Sequence, residues 1–138
     1  MEEIAIHVVT EINLTESEQK VREAIEYMFG PMNTQIKPQR KGSILQANSS
    51  SQDALIKFHN LLQREHIRAA ARAVLLGGMG KNRISFCLNK QVAHAGHISF
   101  SQEAGESPLG PIRVEITTET PRETINYLTY MTQESRKG

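Results

Sequence analysis

Three arginines set four residues apart, Arg64, Arg68 and Arg72, are the residues of this sequence best suited to chemistry on a charged ligand. On a single helix their i, i+4, i+8 spacing lines the guanidinium groups along one ridge, beside an apolar face of Ile67, Ala71 and Val74. A guanidinium offers planar, bidentate hydrogen bonds to phosphate, so a rigid row of them grips a sugar-phosphate backbone without reading its sequence. The competing reading is a solvated helix edge whose arginines pair with carboxylates. Such partners are scarce locally, since Glu65 is the one acidic residue between Asp53 and Glu103.

The wider charge distribution points the same way. Sixteen basic and fifteen acidic residues nearly cancel over the chain, yet residues 37–97 hold ten basic against two acidic. Residues 1–36 hold two against seven, and residues 98–138 hold four against six. A basic middle between acidic flanks attracts polyanions while limiting indiscriminate sticking. Lys57, Lys81, Arg83 and Lys90 extend the candidate surface beyond the three arginines. Asn89 and Gln91, flanking Lys90, add amide groups suited to phosphate, ribose hydroxyls or base edges.

Other chemistries are less well served. Gly77-Gly-Met-Gly-Lys-Asn82 invites comparison with a phosphate-binding loop, but that pattern requires a glycine where Leu75 stands and a hydroxyl where Asn82 stands. Here a helix precedes the glycines and a strand follows, the reverse of the phosphate-loop order, so they are read as a helix stop and turn. His94-x-x-His97 with Cys87 is too sparse for a metal centre, and no metal or cofactor is expected. A two-metal nuclease needs clustered carboxylates, whereas the only aspartate is Asp53. No Gly-x-Ser-x-Gly elbow is present, and no catalytic residue is assigned.

The elements that must position these residues follow from periodicity. Residues 3–12 alternate as a half-buried strand, with Ile4, Ile6, Val8 and Ile12 inward and His7 and Glu11 outward. Thr15 and Glu18 have capping-box spacing for a helix burying Val21, Ala24, Ile25, Met28 and Phe29, which ends at Gly30-Pro31. Residues 34–37 and 42–47 read as short strands joined by a basic turn. Over residues 53–76 the apolar phase reverses: Ala54, Leu55, Phe58, Leu61 and Leu62 share one side, while Ile67, Ala70, Ala71 and Val74 lie nearly opposite. One straight helix cannot bury both faces against one sheet, so a break is expected near Gln63–His66. Arg83 to Leu88 is a strand, followed by a polar connection through Val92–Ala95 to Gly96. Residues 97–101 and 111–117 are the last strands. Thr120 and Pro121 open a final helix carrying Ile125, Leu128 and Met131.

Strands and helices mix without βαβ alternation, which makes the chain α+β, with helices packed on one mainly antiparallel sheet. At 138 residues one domain is expected over 1–132, with a frayed tail at 133–138. The start of the chain lacks a basic and apolar leader, no apolar run reaches bilayer-spanning length, and the one cysteine cannot form an internal disulfide. A cytoplasmic location follows as the expectation.

The stretches Arg64–Arg72, Gly80–Gln91 and Pro108–Ile116 resemble an archaeal family of uncharacterised, predicted RNA-binding proteins. The strongest mark is Phe86-x-Leu-Asn-Lys-Gln91 before the Ala93–Gly96 step. The resemblance covers nearly the whole chain. It implies a fold like that of the ribosomal protein that holds 5S ribosomal RNA in the large subunit, with a sister group thought to be exosome-associated. Where the family pattern commonly carries aromatics, this chain has Cys87 and His94, and where it often carries arginine it has His59. Backbone-directed binding survives those departures better than base stacking. The leading expectation is a non-enzymatic RNA-binding protein using Lys57, Arg64, Arg68, Arg72, Lys81, Arg83, Asn89, Lys90 and Gln91, with protein partners in an RNA-processing or ribosomal assembly. The alternatives are a module docking an acidic protein partner and, third, a phosphate-ester enzyme.

Overall fold

In the computed structural model, residues 4–101 and 110–130 are described. Six strands form one antiparallel sheet: β1 (Ile4–Ile12), β2 (Asn33–Pro38), β3 (Ser43–Ser49), β4 (Arg83–Asn89), β5 (Phe100–Ser101) and β6 (Pro111–Thr118). Their spatial order is β2-β3-β1-β6-β4-β5. Register follows hydrophobic alternation: Val8 pairs with Ala47 on one side and Val114 on the other, and Phe86 lies opposite Val114. Ile4, Ile6, Val8, Leu45, Ile84, Leu88, Ile112 and Ile116 are buried in the core on this face. The intervening positions, among them His7, Gln46, Ser85, Cys87 and Arg113, face away from it.

The helices α1 (Glu18–Phe29), α2 (Gln52–Arg64), α3 (Arg68–Gly77), α4 (Lys90–His94) and α5 (Pro121–Thr129) supply the rest of the core. α1 lies between α4 and α2, while α5 packs on both α2 and α3. All four phenylalanines of the sequence line up through this layer and into the sheet. Phe29 stacks on Phe58 at 5.0 Å, Phe58 on Phe86 at 5.8 Å, and Phe86 meets Phe100 edge-on at 5.9 Å. The series ties α1, α2, β4 and β5 into one unit.

The expected break falls where the phase reversal placed it. α2 ends at Arg64, α3 begins at Arg68, and between them His66 takes a left-handed φ of 59°. α2 buries all five residues expected of it. In α3 the buried positions are Ala71 and Leu75, with Ile67 and Val74 only partly covered and Ala70 exposed. At the end of α3, Gly78 caps the helix and approaches Ser85 so closely that a Cβ would stand 1.8 Å from its carbonyl oxygen. The glycine run is therefore the start of a tight hairpin into β4.

Three local expectations need correction. The N-cap of α1 is Ser17, whose hydroxyl accepts from Lys20 N–H at 3.3 Å. Thr15 lies outside the helix, because the neighbouring Glu16 carboxylate is drawn inward. The connection after β4 folds into α4, because Asn89 Oδ1 accepts from Val92 N–H at 3.0 Å and nucleates a turn. That turn holds His97 N–H on the Val92 carbonyl, so pairing with β4 starts late and β5 is only Phe100–Ser101. Thr120 is the N-cap of α5 with Pro121 at its first turn, as expected, but its side chain makes no capping hydrogen bond. Met131, the expected tail at 133–138, and most of the loop before Pro111 lie outside the described residues.

Phe58 is fully buried at the middle of the aromatic series. Phe58→Ala should cost about 3–5 kcal/mol of unfolding free energy in chemical denaturation, and Phe58→Leu distinctly less. A loss within about 1 kcal/mol for the alanine variant would mean the series is not the centre of the core.

Candidate nucleic-acid interface

The break between α2 and α3 separates the three arginines. Arg64 closes α2 while Arg68 and Arg72 occupy the first two turns of α3, so they do not form a ridge on one helix. Each reaches a different neighbour. Arg64 donates to the Tyr27 hydroxyl of α1 and lies over that ring at 5.6 Å. Arg68 donates to the Tyr130 carbonyl at 3.4 Å, and Arg72 to Asn126 Oδ1 at 2.8 Å and Thr129 Oγ1 at 3.2 Å, all at α5 or its end. These partners are neutral. Among the described residues no carboxylate lies within ion-pair distance of any of the three.

Glu65, the acid closest in sequence, is turned elsewhere. Its carboxylate faces His97 Nδ1 at 3.2 Å. The strained turn at His66 aims Glu65 toward the loop after α4 and leaves the arginine charges uncompensated. Each guanidinium has five N–H donors, and among the described residues these hydrogen bonds occupy only one or two of them. Two exposed aromatics, Tyr27 and Tyr130, flank the cations. Sequence reasoning passed over both. Tyr27 was detectable, since it is an aromatic off the apolar phase of α1. Also missed is the stack of His59 on Tyr127 at 4.5 Å, which joins α2 to α5. Burial raises the pKa of Tyr127 above its ordinary value.

The remaining candidates are dispersed. Lys57 is exposed on α2, with its stem against Gly30. Lys81 and Arg83 sit at the hairpin after α3, where Arg83 pairs with Glu115 at 3.6 Å. Gln91 is exposed on α4, and Asn89 is committed as the cap of that helix. Lys90 is the clearest departure from expectation: its side chain is fully buried. Nζ donates to the Glu11 carbonyl and to Glu16 Oε1, the latter at 3.0 Å. Its charge is spent holding the end of β1 and the loop before α1, so it does not serve as a surface cation. Cys87, His94 and His97 are not brought together either. Cys87 is on the outward face of β4, His94 is beside Glu16, and His97 faces Glu65.

The chain is thus an α+β sheet-and-helix domain whose helical layer carries three guanidinium groups with no carboxylate partner among the described residues. Residues 5–118 match the model of a family described as RNA binding, and the chain belongs to that family. Its relatives are archaeal UPF0201 proteins. It is 41% identical over 126 residues to one from Sulfurisphaera tokodaii, covering 90% of this chain and 86% of the relative. To one from Pyrobaculum calidifontis it is 37% identical over 124 residues, covering 89% and 87%. The crystal structure of the UPF0201 protein from Methanococcus jannaschii is similar with a TM-score of 0.80 at 26% identity, over 91% of this chain and 98% of that one. Among the described residues no helix is long and apolar enough to cross a membrane.

The buried pair of Lys90 and Glu16 makes a testable demand on stability. Burial by itself raises the pKa of Glu16, but hydrogen bonds from Asn13 N–H and Lys90, with the Lys90 charge, outweigh it and hold the carboxyl below its ordinary 4.5. A carboxyl lowered on folding contributes stability above its unfolded pKa, which is lost as pH falls through the lowered folded value. Glu16→Gln should therefore flatten the fall of Tm below pH 4.5; an unchanged slope would uncouple this carboxyl from folding. Lys90→Met, which strands a buried carboxylate, should cost about 3–5 kcal/mol at neutral pH by chemical denaturation.

Proposed function

We propose that this protein is a non-enzymatic RNA-binding module that holds the phosphate backbone with Arg64, Arg68 and Arg72. The observation that carries this reading is the arrangement of charge around the helix break. Three guanidinium groups are steadied by neutral partners on α1 and at α5, while Glu65, the acid closest to them in sequence, is occupied by His97. Steadying costs them no charge and reduces the side-chain entropy lost when phosphate binds. Lys57, Lys81 and Gln91 are exposed elsewhere on the helices and the hairpin and add further candidate contacts, while Arg83 is shared with Glu115. Membership of a family described as RNA binding supports the same partner. Tyr27 and Tyr130 offer faces for unpaired bases, which suits single-stranded or looped RNA better than a regular duplex.

Binding of this kind should weaken steeply with salt, by about 0.7 in log K per log salt for each single-strand phosphate contact. Among the described residues Arg68→Ala removes a single long hydrogen bond, to the Tyr130 carbonyl, so its stability should change by about 0.5 kcal/mol or less. The same variant should weaken binding equally for unrelated RNA sequences and flatten the salt slope by about one contact. A folded variant lacking all three arginines that binds RNA as well as the unsubstituted protein would overturn the assignment. Absence of RNA binding at low salt, together with salt-sensitive capture of an acidic protein, would move the surface to protein docking.

A further inference from the structure

Building on RNA binding through the arginines, we propose that the groove between α1 and α4 receives one unpaired base of that RNA, whose exocyclic amino group donates to Glu16 Oε2. The groove is open to solvent, holds about 630 Å³, and has walls that include Thr15, Ser17, Lys20, Glu23, Tyr27 and His94. That volume lies within the range of small-ligand pockets and accommodates a nucleotide.

Glu16 is built in, with only 7% of its side chain exposed. Oε1 is saturated, accepting from Asn13 N–H at 2.8 Å, Asn13 Nδ2 at 3.0 Å and Lys90 Nζ at 3.0 Å. Oε2 is buried and has no hydrogen-bond partner. A buried oxygen of an ionised carboxylate without a donor is costly, and such groups in native folds usually have a ligand or a functional reason. His94 Nε2, which faces this oxygen, stops at 3.7 Å, outside hydrogen-bond reach. Its ring forms part of the groove wall with 28% of the side chain exposed, and on this proposal the side chain turns aside to admit the incoming group to Oε2. The lowered pKa of Glu16 keeps that oxygen an acceptor at neutral pH.

Tyr27 ties the groove to the arginine surface. It lines the groove, and its hydroxyl and ring both engage Arg64. A phosphate held by Arg64 therefore brings the adjoining nucleotide to the groove mouth, with Lys20 beside it for a neighbouring phosphate. The free acceptor favours adenine, cytosine or guanine, whose amino groups stand clear of the ring. Uracil presents its one base N–H between two carbonyl oxygens, which a carboxylate repels.

The test compares low-salt binding of oligoadenylate, oligocytidylate, oligouridylate and an oligonucleotide of N6,N6-dimethyladenosine, which has no amino hydrogen to donate. The unsubstituted protein should bind the first two about tenfold or more tightly than the last two, as befits one hydrogen bond to a charged acceptor. Glu16→Gln should lose most of that preference while keeping salt-dependent binding. If that variant fails to fold, the contrast between adenosine and dimethyladenosine on the unsubstituted protein decides alone. Equal affinity for all four RNAs, or a folded Glu16→Gln variant that keeps the preference, would overturn the base site. Salt-dependent binding without preference removes the base site and leaves the arginine surface standing, whereas no binding to any RNA removes both.

Discussion

The constraint on which the rest of the helical layer depends is the reversal of apolar phase between Leu62 and Ala71. A helix carried straight through would bury one face and expose the other, at roughly 1.5–3 kcal/mol for each large side chain left in water. The chain breaks instead, and His66 accepts a left-handed φ of 59°, a conformation that costs most side chains about 1–2 kcal/mol. Several recovered apolar contacts outweigh one strained residue. The same turn sends Arg64 toward α1, Arg68 and Arg72 toward α5, and Glu65 toward His97. A packing requirement thus sets the electrostatics of the surface.

A second, polar constraint operates at one end of the sheet. Lys90 is fully buried, and its ammonium is satisfied by the Glu11 carbonyl and by Glu16. Burying both charges costs several kcal/mol per ion unless geometry and hydrogen bonds compensate, so the pair specifies this arrangement more than it strengthens the fold. It links the end of β1, the entry to α1 and the first residue of α4. That linkage also holds Glu16 rigidly in the wall of the groove. The acidic N-terminal segment therefore supplies part of the groove wall as well as balancing the charge of the basic middle.

The aromatic series and the arginine surface lie on opposite sides of the same helices. Phe29 and Phe58 face inward from α1 and α2, whereas Tyr27 and Arg64 face outward from the same two helices and meet there. Packing between α1 and α2 fixes their spacing, and that spacing lets the guanidinium rest on the tyrosine ring. Similarly, the stack of His59 on Tyr127 holds α5 against α2, near the Asn126 and Thr129 side chains that receive Arg72. His59 thus serves as an inter-helix contact.

The sequence by itself determined what depends on short-range periodicity. Alternation specified β1, β3, β4 and β6, the 3.6-residue repeat specified the buried faces of α1 and α2, and the phase reversal located the break to within a few residues. Local composition also marked the basic middle of the chain. Tertiary structure decided everything that depends on partners distant in sequence. Lys90 looked like a surface cation because its neighbours Asn89 and Gln91 are polar, yet its counter-charge stands 74 residues away. The arginines kept their periodic spacing in sequence but lost their common ridge, because the intervening turn has dihedral angles that spacing alone does not encode. Glu16 appeared to be an ordinary residue inside a capping motif; a carboxylate becomes a buried acceptor only when strand, loop and helix from distant parts of the chain close around it. Periodicity reports which face of an element is buried. It does not report what that face meets, since desolvation and pairing are properties of the assembled neighbours.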